Sequence, residues 1–176
     1  ITAALDAIYD SWRRAYTLLY SNIVGNGTGI IHFLDLWSNQ PYMIPACDFN
    51  ALVSPRTFKK LLLPDIQRQA ATVGRSVFHL DGPDASRHAK TLIETPELDA
   101  IQYTPGAGTP SALAKVDMLR SMQEGGKSIV IIVPYNEVLD LVEALSPKGL
   151  CMIVEGAPDA GTLSDLFETF SKQYGE

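Results

Sequence analysis

Apolar residues recur along this chain with two different periods, and the alternation between them predicts its elements. Leu5, Ile8, Trp12, Tyr16 and Leu19 step by three and four, which predicts an amphipathic helix over residues 3–20. Ser21–Gly29, carrying Gly25, Gly27 and Gly29, reads as a turn. Ile30 to Leu34 reads as a buried strand, and Asp35 to Val53 as a long loop. Ser54-Pro55 carries a helix-start signal, an N-cap residue before proline at the first helical position, and that helix extends to about Val73. From there strands at 76–80, 99–103, 128–133 and 150–154 alternate with helices near 84–94, 109–124, 135–145 and 162–174. Gly125-Gly126 stops the third of these five downstream helices, counting from Ser54.

Strands that alternate with helices predict a parallel sheet covered by helices. Five βα units fit two architectures: the carboxyl-terminal part of a (β/α)8 TIM barrel, or a compact doubly wound flavodoxin-like domain. Both place ligands at the carboxyl ends of the strands. The site-bearing loops are therefore 35–53, 81–84, 103–109, 134–136 and 155–161 in either case.

Within those loops, the strand end His79-Leu80-Asp81-Gly82 is the most informative stretch. Side chains two apart on a strand point the same way, so His79 and Asp81 project together while Phe78 and Leu80 face the helices. An imidazole and a carboxylate beside a glycine turn can hold a metal, relay a proton or grip a polar substrate. Asp48, in the long loop, and Glu155, at the end of the last strand, are the further candidate acids. Gln102 and Tyr103 close a strand ahead of the loop Thr104-Pro105-Gly106-Ala107-Gly108; together with Trp37 they are candidate substrate-binding residues. His32 and Cys151 read as core residues, His88 as a surface residue within a helix, and Cys47 as a small buried hydrophobe.

Composition narrows the classes. At 176 residues the chain fits one domain with a sizeable core. Its net charge of -6 and the lack of a basic stripe argue against nucleic-acid binding. No apolar run is long enough for a membrane span. Two widely separated cysteines without CxxC spacing favour a reducing cytoplasm. The chain opens inside a helical pattern without methionine, and reads as a piece of a longer protein. A part-barrel leaves sheet edges open, so self-association is expected.

Cys47-Asp48-Phe49 leading to Ser54-Pro55-Arg56-Thr57-Phe58 and Leu63-Pro64 resembles the "SPxxFxxFxxP" helix of the uroporphyrinogen decarboxylase superfamily. The strand end His79-x-Asp81-Gly82 resembles its "HxCG" or "HxxG" pattern. Asp99-Ala100-Ile101 resembles its next strand, and Ile153-Val154-Glu155-Gly156 lies where its last strand nears the site. The resemblance spans roughly residues 30–170 and implies strands four to eight of a (β/α)8 barrel. One branch of the superfamily decarboxylates uroporphyrinogen without a cofactor. The other moves methyl groups between corrinoid proteins and thiols or folates, often at a zinc held by the "HxC" residues and a later cysteine.

The chain departs from both patterns. Asp81 and Ala157 stand where the zinc pattern has sulfur, and the last loop, Glu155-Gly156-Ala157-Pro158, lacks the decarboxylase histidine. Arg56 and Arg87 are the nearest arginines for a polycarboxylate substrate. What the resemblance implies is therefore a methyltransferase-like protein, acting on a small methylated substrate and a corrinoid carried by a partner protein. His79 and Asp81, with Asp48 and Glu155 nearby, would serve it directly or through zinc or another divalent metal. The alternatives are a uroporphyrinogen-type decarboxylase and a degenerate, non-catalytic ligand-binding barrel.

Overall fold

The computed structural model describes residues 1–24 and 28–174; Gly25 and Gly27 of the expected turn lie outside them. Helix α1, Thr2–Ile23, half-buries Leu5, Tyr9, Trp12, Tyr16 and Tyr20 along one side. That side docks through Arg68, which lies over the Tyr9 ring at 4.3 Å and pairs with Asp6 at 2.6 Å. Strands β1, Ile30–Ile31, and β2, Trp37–Ser38, then form a two-residue antiparallel ladder. Gly29 is required there, because a Cβ on it would sit 2.3 Å from the Trp37 indole nitrogen.

This hairpin corrects the expectation of a buried strand over 30–34: Ile31 and Phe33 are exposed, and neither joins the main sheet. The edge position is taken instead by residues 43–46, from within the expected loop. Met43 donates its N–H to the Arg75 carbonyl (3.1 Å) and accepts from Val77 N–H (3.0 Å), and Pro45 accepts from His79 N–H (2.9 Å). Pro41 and Pro45 lack N–H groups, so this segment can pair only intermittently and only at an edge.

A 3-10 turn, Asp48–Leu52, leads to the capped helix start, where Thr57 N–H donates to Ser54 Oγ at 3.2 Å. Helix α2, Pro55–Thr57, continues through a π-helical stretch, Phe58–Leu62, into α3, Leu63–Val73, and Gly74 ends it with φ 86°. Then come β3, Val77–Asp81; a 3-10 stretch, Ala85–His88; α4, Ala89–Ile93; and β4, Ala100–Thr104. The next helix begins later than its Thr109-Pro110 signal, because the Thr109 hydroxyl turns back onto the Pro105 and Gly106 carbonyls. It consists of a 3-10 stretch, Ala112–Lys115, and α5, Val116–Glu124. β5, Ser128–Pro134, α6, Val138–Ala144, β6, Leu150–Glu155, and α7, Ala160–Tyr174, complete the chain.

β3, β4, β5 and β6 form a four-stranded parallel sheet in chain order, flanked by helices. The order does not double back on itself, as a doubly wound sheet's does. Phe78, Leu80, Ile101, Tyr103, Ile129, Ile131 and Val133 all point to one face and form the core with residues of the helices. The alternate residues face the other way: His79 is in register with Gln102, Gln102 with Val130, and Val130 with Cys151. Ile132, Cys151 and Ile153 on this second face are only half-buried, and β6 has no neighbour on its outer side among the described residues. An open strand edge beside a half-buried apolar face favours pairing between copies. Light scattering should therefore give a molar mass above one chain's that rises with concentration. A constant single-chain mass across micromolar concentrations would refute it. No helix among the described residues is long and apolar enough to cross a membrane.

Candidate functional site

His79 and Asp81 project from the carboxyl end of β3 onto the second face, both half-buried, as strand alternation requires. Gly82, with φ 85°, turns the chain away immediately afterwards and ties itself to β4 through the Thr104 carbonyl (2.9 Å). The third component arrives from the edge segment. Ala46 bridges to His79, and two residues later Asp48 opens its 3-10 turn beside the strand end. One donor atom each from Asp48, His79 and Asp81 then lie within 4.8 Å of one another.

The imidazole is held from behind. His79 Nδ1 is hydrogen-bonded to Gln102 Oε1, which can only accept, so Nδ1 donates and Nε2 is the ring nitrogen left for a ligand. Gln102 is fully buried, and its Nε2 donates to Thr104 Oγ1 at 2.8 Å, which holds the amide between the histidine and the end of β4. Phe33 stands edge-on to the imidazole, ring centroids 5.5 Å apart and planes at 89°, and walls one side of it. A ring nitrogen aimed by a buried partner is the usual arrangement around metal-ligating histidines.

Other candidates fall elsewhere. Tyr103 alternates to the opposite face from His79 and is buried in the core; among the described residues its hydroxyl has no hydrogen-bond partner. Trp37, 66% exposed on β2, lines a cleft with Tyr42, Arg75 and Asp99 near the amino end of β3, away from the cluster. Glu155 is exposed at the end of β6, three strands and about 14 Å across the sheet from β3. Gln102 belongs to the site, but as the support of His79. Cys47 adjoins Asp48, yet burial pushes its thiol above the ordinary range, away from the thiolate that binds metals. Cys151 is half-buried on the second face, and burial raises its thiol as well. His32 is tied to its own turn, 3.3 Å from the Tyr42 carbonyl and edge-on to the Tyr42 ring.

Two residues near the site escape a reading of the sequence. Phe33 lies in what reads as a buried strand. His88, expected on the surface, is fully buried and donates from Nε2 to the Asn50 carbonyl at 2.9 Å. Its signal was helical spacing: with Ala85, Ala89 and Leu92 it falls on the buried stripe.

One nitrogen and two carboxylates suit zinc or a harder divalent ion, and two acidic ligands offset its charge. They do not make the thiolate-rich site of the "HxC" pattern. Three protein donors leave coordination positions open for a substrate or water. Compared with known proteins, the chain matches no family model, no curated protein and no solved structure.

Proposed function

We propose that Asp48, His79 and Asp81 hold a divalent metal ion that serves methyl transfer, in a barrel of the uroporphyrinogen decarboxylase type of which this chain forms the carboxyl-terminal part. The observation that carries the metal site is the convergence of Asp48, from a separate segment, on the His79–Asp81 pair. The barrel reading is supported by the unreversed strand order and by helices packed on one face of the sheet, as on the outside of a barrel. The reaction class comes from the resemblance of residues 30–170 to the superfamily.

When bound, such an ion supplies Lewis acidity that lowers the pKa of a coordinated nucleophile. Each residue contributes separately. His79 presents the Nε2 lone pair in an orientation that Gln102 fixes. Asp48 and Asp81 supply negative charge at the strand end, and the Phe33 ring stands edge-on against one flank of the imidazole. A small methylated substrate would occupy the space above the strand ends, where a corrinoid-bearing partner protein would dock.

The decarboxylase alternative calls for cations free to meet carboxylates. Arg87 is engaged instead by Asp84 (2.9 Å) and by the Ala51 carbonyl (3.3 Å).

The test is titration of the purified chain with zinc, manganese and cobalt(II), followed by methyl transfer from a methylcorrinoid to small acceptors. One ion per chain is expected, with a cobalt(II) spectrum that lacks thiolate charge-transfer bands. Failure to bind any of the three ions sinks the metal site. Binding without methyl transfer by the complete barrel sinks the reaction class and leaves the site.

A further inference from the structure

We infer that His88 is a positioning residue that sets Asp48 against His79 and Asp81, an inference that rests on the metal-site reading above. Asp48 is exposed and is the first residue of a five-residue 3-10 turn whose N-cap makes no side-chain hydrogen bond. On its amino side the turn is anchored through the Ala46 bridge to β3. On its carboxyl side it is anchored by His88, whose Nε2–H reaches the Asn50 carbonyl. Arg87 adds a second hold on the Ala51 carbonyl. Both residues lie on the 3-10 stretch that follows Asp81 and Gly82. The loop that leaves one carboxylate therefore clasps the turn that carries the other.

The His88 ring cannot swivel. It is stacked on buried Phe58, centroids 4.3 Å apart and planes 22° apart. Its packing also has a cost that core stability alone would not select. Among the described residues, His88 Nδ1 and Asn50 Oδ1 are both buried without partners. Unpaired polar atoms in a core are unfavourable, and an apolar pair of similar volume would avoid them. Holding the turn accounts for a histidine here where a phenylalanine would pack.

His88→Phe keeps a ring on Phe58 and removes the donor, whereas His88→Gln restores a side-chain N–H. Loss of a residue that orients a metal ligand typically weakens binding about 10–100-fold. His88→Phe should weaken cobalt(II) or zinc binding by that factor, and His88→Gln should recover most of it. In an Asp48→Ala background, where position 48 offers no donor atom, His88→Phe should have no further effect.

A second readout needs no metal. Cys47 adjoins Asp48 and is half-buried, and Cys151 in β6 is an internal reference. Alkylation of Cys47 should quicken in His88→Phe while that of Cys151 stays constant. An unchanged Cys47 rate, both cysteines opening together, or equal loss of affinity with and without Asp48 would each overturn the inference. Wild-type chain that binds no metal, with Cys47 freed by His88→Phe, would support the hold on the turn and overturn the metal site instead.

Discussion

His79→Ala is expected to strip the chain of stoichiometric metal while leaving its fold intact. His79 is the cluster's nitrogen donor, and its ring is already oriented by Gln102. A structural zinc site with four donors is worth on the order of 10–16 kcal/mol. One donor then carries about 3 kcal/mol, on the order of a hundredfold in affinity. His79 lies half-buried on the second face of the sheet, outside the core formed with the helices, so truncation opens no cavity among Phe78, Leu80 and Tyr103. Elemental analysis and calorimetric titration of wild type and variant, with circular dichroism to confirm the fold, make the measurement. Asp48→Asn should lose less, because the exposed amide still offers an oxygen while one negative charge is gone. A His79→Ala chain that keeps one ion per molecule would place the metal elsewhere.

The four sheet strands were legible from their apolar runs. Those expected at 76–80, 99–103, 128–133 and 150–154 are observed at Val77–Asp81, Ala100–Thr104, Ser128–Pro134 and Leu150–Glu155. Alternation also placed His79 and Asp81 on one face, away from Phe78 and Leu80. What alternation cannot carry is long-range pairing. Ile30 to Leu34 has strand composition, yet its short hairpin with Trp37–Ser38 leaves Ile31 and Phe33 in solvent. The real edge, 43–46, is interrupted by Pro45 and has no strand period. Nothing local therefore announces that it runs beside β3 and delivers Asp48.

Register was equally hidden. Gln102 and Tyr103 are chain neighbours that read alike as strand-end polar residues. The parallel pairing of β3 with β4 sets Gln102 beside His79 and turns Tyr103 into the core. Glu155 and Trp37 stand at loop positions in the sequence, but strand order puts Glu155 at the far edge of the four-stranded sheet and the hairpin holds Trp37 in a separate two-stranded ladder.

Gln102 supplies the other large expected effect. Gln102→Leu keeps a comparable volume at a fully buried position and removes both hydrogen bonds. His79 Nδ1–H then loses its acceptor, and the Thr104 hydroxyl loses its donor. Without the amide oxygen nothing selects the tautomer that leaves Nε2 free, and the ring can rotate about its bond to the strand. Metal affinity should fall about 10–100-fold, and stability by about 1–3 kcal/mol where the orphaned polar groups stay dry. Gln102→Glu separates orientation from packing, because it keeps an oxygen acceptor for Nδ1–H. A carboxylate behind a metal-bound histidine raises the basicity of the ligand nitrogen, so this variant should bind metal far better than Gln102→Leu. The Thr104 contact survives in the glutamate variant with the hydroxyl now donating, so the two variants differ chiefly in the acceptor offered to His79. If Gln102→Leu bound metal as tightly as wild type and was no less stable, Gln102 would be filling space, and the orientation of the His79 ring would have to come from Phe33.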